Sequence, residues 1–518
     1  MKNAYVPGSL ILLVAWELIG QLALIGDGAF PPLSDIAVRF WQDRDDYRGH
    51  VAATLYGSGL GFLIGNGIAI AAGMIFTLFP VTLRLSRGLN IALFAIPPIA
   101  LTPILALLLS GMAPRVVLAA LGCYFVTMTA TVIGLSQYDE RAADVVRAYG
   151  GGRLRILLKI QIRQALPVIL GGLQIAAPNA VLGAILAEFG GGQRWGLGSY
   201  LLGSLGRADP ARLWGIGLVA TAIAGLAYGF FALISRRAIR GSRGVSLSNA
   251  ATPPIPSVGT TTIQRLILLL GSITLPLFIW WVFIRLLNVP DMIGKTPLGV
   301  VNYLFLSSGA SAAQARLIEA LGQTLPMTFL GMLTGLSAAF ALAMSTRLFP
   351  VLTRVFMPVA LITQTMPLVA LTPLLILILG RGNSLTLWIT ISVTFFPAFV
   401  TIVQGLSLVP QSALDVTRAY GASTIKELRL VAVPASLPYV FAATRLTVPR
   451  ALLGVMIAEW LATGKGLGNL LNQSRGYLDY GMIWTVAVVS VLLSIGFYQM
   501  VVYVERFVLH RMGMRSTE

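Results

Sequence analysis

The length of its apolar stretches constrains this chain more than any other feature. Twelve of them run near 6–26, 52–79, 88–110, 113–135, 166–189 and 212–234, then 264–287, 322–346, 356–379, 384–405, 437–461 and 482–504. About 20 apolar residues in a helix suffice to cross the roughly 30 Å hydrocarbon layer of a bilayer. Only 11% of the 518 residues are charged, against roughly 25% in soluble domains. In hydrocarbon the backbone must satisfy its own hydrogen bonds, which leaves helices or closed barrels. Stretches this long predict helices: an all-α, polytopic membrane protein with about 12 transmembrane helices. The first stretch, Val6 to Ile25, lacks a strongly charged leader and an A-x-A cleavage site, so it reads as a retained helix and not a signal peptide. The net charge of +18 follows from the Lys/Arg excess of cytoplasmic loops and does not point to nucleic acid.

The twelve stretches are six, written twice. Asp144-Val-Val-Arg-Ala-Tyr-Gly150 returns as Asp415-Val-Thr-Arg-Ala-Tyr-Gly421, and Ala100-Leu-Thr-Pro103 as Ala370-Leu-Thr-Pro373. Leu182-Gly-Ala-Ile-Leu-Ala-Glu-Phe189 returns as Leu453-Gly-Val-Met-Ile-Ala-Glu-Trp460, and Gly196-Leu-Gly198 as Gly466-Leu-Gly468. The offset is 270 or 271 throughout, and four matches in order at one offset exclude chance. The expected units are repeat one, 1–236, a polar linker, 237–262, and repeat two, 263–518. The linker region carries Arg236, Arg237, Arg240 and Arg243 followed by Ser, Asn, Pro and Gly. An even number of spans gives both repeats the same orientation, a parallel repeat with a pathway expected between the halves. Basic residues cluster in the loops around Arg84, Arg141 to Arg163, Arg347 and Arg418 to Arg429. Those loops, and with them both termini, are expected in the cytoplasm.

Two of these loops, 138–167 and 409–438, are long for connections between helices, and long ordered loops usually have a function. Each reads as a short helix containing Asp144 or Asp415, a turn at Gly150 or Gly421 that calls for a left-handed residue, and a second, basic amphipathic helix. Pro410 suits a first helical turn, and Leu166-Pro167 or Leu437-Pro438 is expected to open the next span. The glycine-to-proline spacing is 17 in both copies. The loops resemble the EAA coupling motif of binding-protein-dependent ABC importer permeases: Glu-Ala-Ala, three residues, Gly, nine residues, Ile, one residue, Leu-Pro. Asp replaces the glutamate, and Val-Val or Val-Thr replaces Ala-Ala. The flanking Ala-Leu-Thr-Pro and Ala-Glu-Phe/Trp…Gly-Leu-Gly segments resemble the nitrate/sulfonate/taurine branch, here with two copies fused in one chain. The resemblance implies ATPase coupling by Asp144, Arg147, Ala148, Tyr149, Gly150, Leu166 and Pro167, and by Asp415, Arg418, Ala419, Tyr420, Gly421, Leu437 and Pro438. It implies as partners two ABC ATPase subunits on the cytoplasmic side, which hold ATP and Mg, an extracytoplasmic solute-binding protein, and the lipid of a bacterial inner membrane. No cofactor is expected in the chain itself.

No ATPase signature is present. Ile293-Gly294-Lys295-Thr296 lacks the glycine that a phosphate loop needs five residues before its Gly-Lys; position 289 is Val. No metal site is expected: Cys123 is the only cysteine, and His50 and His510 stand far apart. Charged residues inside spans are costly and so mark functional positions. Arg450 and Arg445 lie in the span after the second coupling loop, where the first copy has Asn179 and Gln174. These four are the candidates for lining the pathway of a small solute, anionic if an arginine meets it. Glu188 and Glu459, towards the outer ends of the same spans, are candidates for an outer gate. Two other classes compete. An ion-gradient-driven carrier or channel would place carboxylates mid-span, and Glu17 is the nearest to that. An intramembrane enzyme would need a metal cluster or paired carboxylates.

Overall fold

The computed structural model describes residues 5–191, 193–207, 209–238, 262–365 and 368–513. Most of the linker expected at 237–262 therefore lies outside the described residues.

Among the described residues nine helices are long and apolar enough to cross a membrane. A bent pair, Arg87–Ala95 and Pro98–Leu108, turns through 96° and makes a tenth if counted as one span. Among the described residues the count is thus nine or ten, against the twelve stretches of the sequence. The first stretch forms Tyr5–Gln21, only 17 residues. It stops short of 26 because Ala23 takes a left-handed φ of +47° and its N–H turns back to the Gly20 carbonyl at 3.1 Å. The third breaks at Ile96-Pro97-Pro98, where two prolines in a row remove backbone donors and push the preceding residue out of the helical region. Its counterpart in the second half is Pro350–Thr365 and Leu368–Leu379, with residues 366 and 367 outside the description.

The helices used below are α1 (Tyr5–Gln21), α2 (Arg44–Leu78), α3 (Pro98–Leu108), α4 (Ala113–Ser136), α5 (Glu140–Ala148), α6 (Arg153–Gly190) and α7 (Pro210–Ala238) in the first half. In the second they are α8 (Thr262–Leu286), α9 (Ala310–Leu348), α10 (Leu368–Leu379), α11 (Asn383–Ser407), α12 (Gln411–Ala419), α13 (Thr424–Thr463) and α14 (Tyr480–Arg511). With 35 residues, α2 is about 52 Å long at 1.5 Å per residue. It exceeds the hydrocarbon layer, and its charged first turns, Arg44 to Arg48, project beyond it.

Small residues let the spans approach closely. A methyl group on Gly61 of α2 would stand 2.5 Å from the Ala119 Cβ, and one on Gly65 would stand 2.5 Å from the Ala120 carbonyl oxygen of α4. Gly331 and Gly335 meet Thr390 and Thr394 of α11 in the same way. The opposite faces are apolar and exposed, as at Leu63 and Ile68, and suit lipid.

The halves share one interior. Its buried core combines Ile99, Ile185 and Leu186 with Leu374, Leu452 and Met456. The segments carrying Ala-Leu-Thr-Pro cross between halves: α3 packs on α13 and α14, and α10 on α6 and α7. The Gly88 N–H donates to Ser272 Oγ at 2.6 Å, and Arg475 Nη1 donates to the Gly190 carbonyl at 2.6 Å.

Candidate functional site

Both loops fold as a helix, a turn and a second helix. Asp139 caps α5, its side chain accepting from the Arg141 N–H at 2.9 Å. Asp144 lies within α5 and pairs with Arg147 at 2.5 Å; Asp415 lies within α12 and pairs with Arg418 at 3.4 Å. Gly150 and Gly421 take φ of +73° and +71°, the left-handed backbone that glycine adopts without a Cβ clash. The Gly151 N–H then reaches the Val146 carbonyl at 2.8 Å, and the Ala422 N–H reaches that of Thr417 at 3.0 Å. Each short helix buries one apolar residue, Ala143 or Leu414, and leaves its tyrosine almost wholly exposed, Tyr149 at 85% and Tyr420 at 89%. A singly exposed aromatic is ordinary on a protein surface; here it recurs at the same place in both copies. Ala148 and Ala419 close the two helices.

Two local expectations change. Pro410 is the residue before α12, not one of its first turn; there its extended conformation lets the helix begin at Gln411. Leu166-Pro167 and Leu437-Pro438 do not open the spans but lie inside α6 and α13. The amphipathic second helix runs on into the membrane through a π turn, Leu157–Gln161 or Leu428–Ala432. The widened turn absorbs one extra residue, and the helix continues past the proline.

The pathway candidates have different surroundings. Arg445 is buried and ion-paired with Glu505 of α14, Nη1 to Oε2 at 2.7 Å. The equivalent Gln174 sits against Tyr228 of α7. Arg450 is half-buried in α13, and among the described residues no carboxylate or hydrogen-bond acceptor partners it. Asn179 is also half-buried, with its backbone against Gly122.

Glu188 and Glu459 occupy matching cages. Thr54 Oγ1 donates to Glu188 Oε1 at 2.8 Å, the Gly198 N–H donates to Oε2 at 2.8 Å, and the Leu197 N–H donates to Thr54 Oγ1 at 2.9 Å. In the second half Thr324, Gly468 and Leu467 repeat these bonds on Glu459 at 2.7, 2.9 and 2.8 Å. The Gly-Leu-Gly motif thus supplies N–H donors at a helix start. The first half adds Arg115, whose Nε lies 3.6 Å from Glu188 Oε1. A cavity of about 590 Å³ opens beside it, lined in part by Gln193, Arg194 and Trp195. The second half has Thr386 in place of Arg115, and among the described residues no cation pairs with Glu459.

Thr54, Thr324, Arg115 and Glu505 went unread in the sequence. The two threonines stand at the repeat offset of 270, and alignment of the copies would have found them. Glu505 lies just past the predicted end of its stretch. Also unread was the corner at the start of α2, where Arg212 donates to Asp43 twice, at 2.6 and 2.7 Å. Burial works to raise the Asp43 carboxyl, but the hydrogen bonds and charge of Arg212 and the charge of Arg39 outweigh it and hold it below the ordinary carboxylate range.

Two equivalent helix–turn elements on one helical membrane core match a known family twice. The profile of the family described as binding-protein-dependent transport system inner membrane component matches residues 65–240 and again 331–510. The chain belongs to that family. Among similar proteins, a probable ABC transporter permease of Haemophilus influenzae is 28% identical over 225 residues, 43% of this chain and 88% of the relative. The riboflavin transport system permease RibX of Chloroflexus aurantiacus is 30% identical over 149 residues, 29% of this chain and 56% of the relative. The taurine transport system permease TauC of Escherichia coli is 21% identical over 238 residues, 45% of this chain and 86% of the relative. Relatives matched over nearly their whole length cover less than half of this chain, as a fused pair requires. This permease is therefore the multi-pass inner-membrane subunit of an ABC importer, not an enzyme. ATP hydrolysis belongs to partner ATPases, and the family works with a substrate-binding partner. The ion-driven carrier and the intramembrane enzyme are set aside.

Proposed function

We propose that this one chain forms the complete translocation pathway for a small anionic solute. Repeat one spans 1–236 and repeat two 263–518, joined by a cytoplasmic linker, 237–262, with both termini in the cytoplasm. The loops 138–167 and 409–438 seat on two ABC ATPase subunits, which bind ATP and Mg, while a solute-binding protein delivers the solute from outside. Closure of the ATPases on ATP displaces α5 and α12, and the spans rock between outward and inward openings.

The observation that carries this reading is the doubled helix–turn element. Both copies present an exposed tyrosine and an Asp–Arg pair ahead of a left-handed glycine, and the helix that follows the glycine is continuous with a span. Such continuity lets movement of a loop become tilt of a span. Arg450, half-buried and without a partner among the described residues, supports an anionic solute, because a cation in a membrane interior needs a counter-charge. Gln174, Asn179 and Arg445 line the pathway around it, and Glu188 and Glu459 hold its outer end. Similarity to TauC supports a sulfonate-like solute.

The test is co-purification of the full chain with ABC ATPase subunits, followed by ATP-driven uptake in proteoliposomes. Two ATPases per chain and uptake of a short alkanesulfonate are expected. Arg450→Gln should lower that uptake about tenfold or more, the scale of a lost charged contact, and leave ATP hydrolysis intact. Uptake in the absence of any ATPase would sink the reading.

A further inference from the structure

The two coupling loops match in backbone and differ in how they are tied to the membrane core. In the second half Glu427, in the first turn of α13, is buried at 8% side-chain exposure. It accepts two hydrogen bonds from Arg418 of α12, Nε to Oε2 at 2.9 Å and Nη2 to Oε1 at 3.1 Å. Arg347, in the last turn of α9, lies 3.7 Å from Oε1 of the same carboxylate. One carboxylate therefore joins three segments: the coupling helix, the helix after it, and the cytoplasmic end of a different span.

At the repeat offsets the first half has Ile156, Arg147 and Thr77 in these places. Ile156 is buried and carries no charge. The carboxylate that pairs with Arg147 is Asp144, on its own helix. The Thr77 hydroxyl donates to the Gly73 carbonyl of its own helix at 2.9 Å. There the end of α2 contributes Met74 and Leu78 to an apolar cluster that includes Leu157 and Ile162 of α6.

These joints differ mechanically. A buried carboxylate gripped by two guanidiniums is directional, and pulling it apart strands a charge away from water. Apolar packing has no preferred direction, so two surfaces can slide while staying in contact. We propose that Glu427 is a positioning residue that locks the second coupling helix to span α9, so that the two docking loops of this chain transmit motion unequally. Displacement of α12 moves α9 with it, whereas displacement of α5 slides past α2. The proposal rests on the reading that both loops seat on ATPases.

The test places spin-label pairs on the full chain in complex with its ATPases. One pair is Ser412→Cys with Leu333→Cys, reporting α12 against α9. The other is the equivalent Arg141→Cys with Leu63→Cys, reporting α5 against α2. All four positions are exposed, and Cys123, the one native cysteine, is buried. Distances are measured without nucleotide and with ATP and vanadate. The second-half pair should keep its distance, and the first-half pair should shift by about 1–2 Å, the scale of helix displacements in switching proteins. Glu427→Ile, which installs the first-half residue, should give the second pair the behaviour of the first. Arg347→Gln keeps the Arg418–Glu427 pair and so guards against misfolding; it should free α9 equally, with ATP hydrolysis retained. Equal behaviour of the two pairs in the unaltered chain overturns the proposal, as does a second pair that stays fixed in both variants. If no ATPase binds the unaltered chain, the docking reading fails and this proposal falls with it.

Discussion

Asp43 shows what one side chain does for this chain. It sits between the helix Leu33–Gln42 and α2, gripped by Arg212 and 3.2 Å from Arg39. Its native pKa lies below the ordinary value of roughly 3.9. A depressed carboxylate contributes stability that is complete above the unfolded pKa and lost as pH falls through the native one. Thermal unfolding in detergent should thus show an acid-side loss beginning below about pH 4, and Asp43→Ala should flatten that part of the profile. At pH 7 the same variant should cost about 3 kcal/mol, because it leaves Arg212 buried with a broken pair. An unchanged profile would mean that Arg212 is held by other groups. None of this was legible in the sequence, where Asp43 is one of several acids mixed with Arg39, Arg44 and Arg48. Its partner is 169 residues away, and no local pattern encodes such a pairing.

At the scale of elements, much more was legible. The short helices α5 and α12, their acids and their left-handed glycines follow from local chemistry: a helix needs an end, and a residue without a Cβ supplies the cheapest one. Gly150→Trp and Gly421→Trp should therefore each cost about 1–2 kcal/mol of local strain and place a bulky ring beside the exposed tyrosine. The expected result is loss of ATP-driven uptake while the chain still inserts and folds, read as uptake against yield of monodisperse protein. Normal uptake in the double variant would remove these turns from the mechanism. The beginnings of α6 and α13 were misread for a physical reason. Leu-Pro looks like a boundary because proline removes a helical hydrogen bond, yet a π turn upstream and neighbouring helices accommodate it.

At the scale of the whole molecule, the halves are not two beads on a string. Core residues from both interleave, and α3 and α10 each reach across to the other half. A chain cut between Ser246 and Ser257 and expressed as two pieces should reassemble through these contacts. The pieces should co-purify from membranes and regain ATP-driven uptake; halves that stay apart would show that the covalent link holds the assembly together.

The sequence by itself determined the class, the duplication and the helix–turn form of the two long loops, because span length, repeat offset and turn chemistry are properties of neighbours along the chain. The tertiary structure alone decided which charges are matched. Arg445 has Glu505, Asp43 has Arg212, Glu427 has Arg418 and Arg347, and Arg450 has no partner among the described residues. A charge in a membrane protein is costly or tolerable according to what faces it, and what faces it comes from another helix.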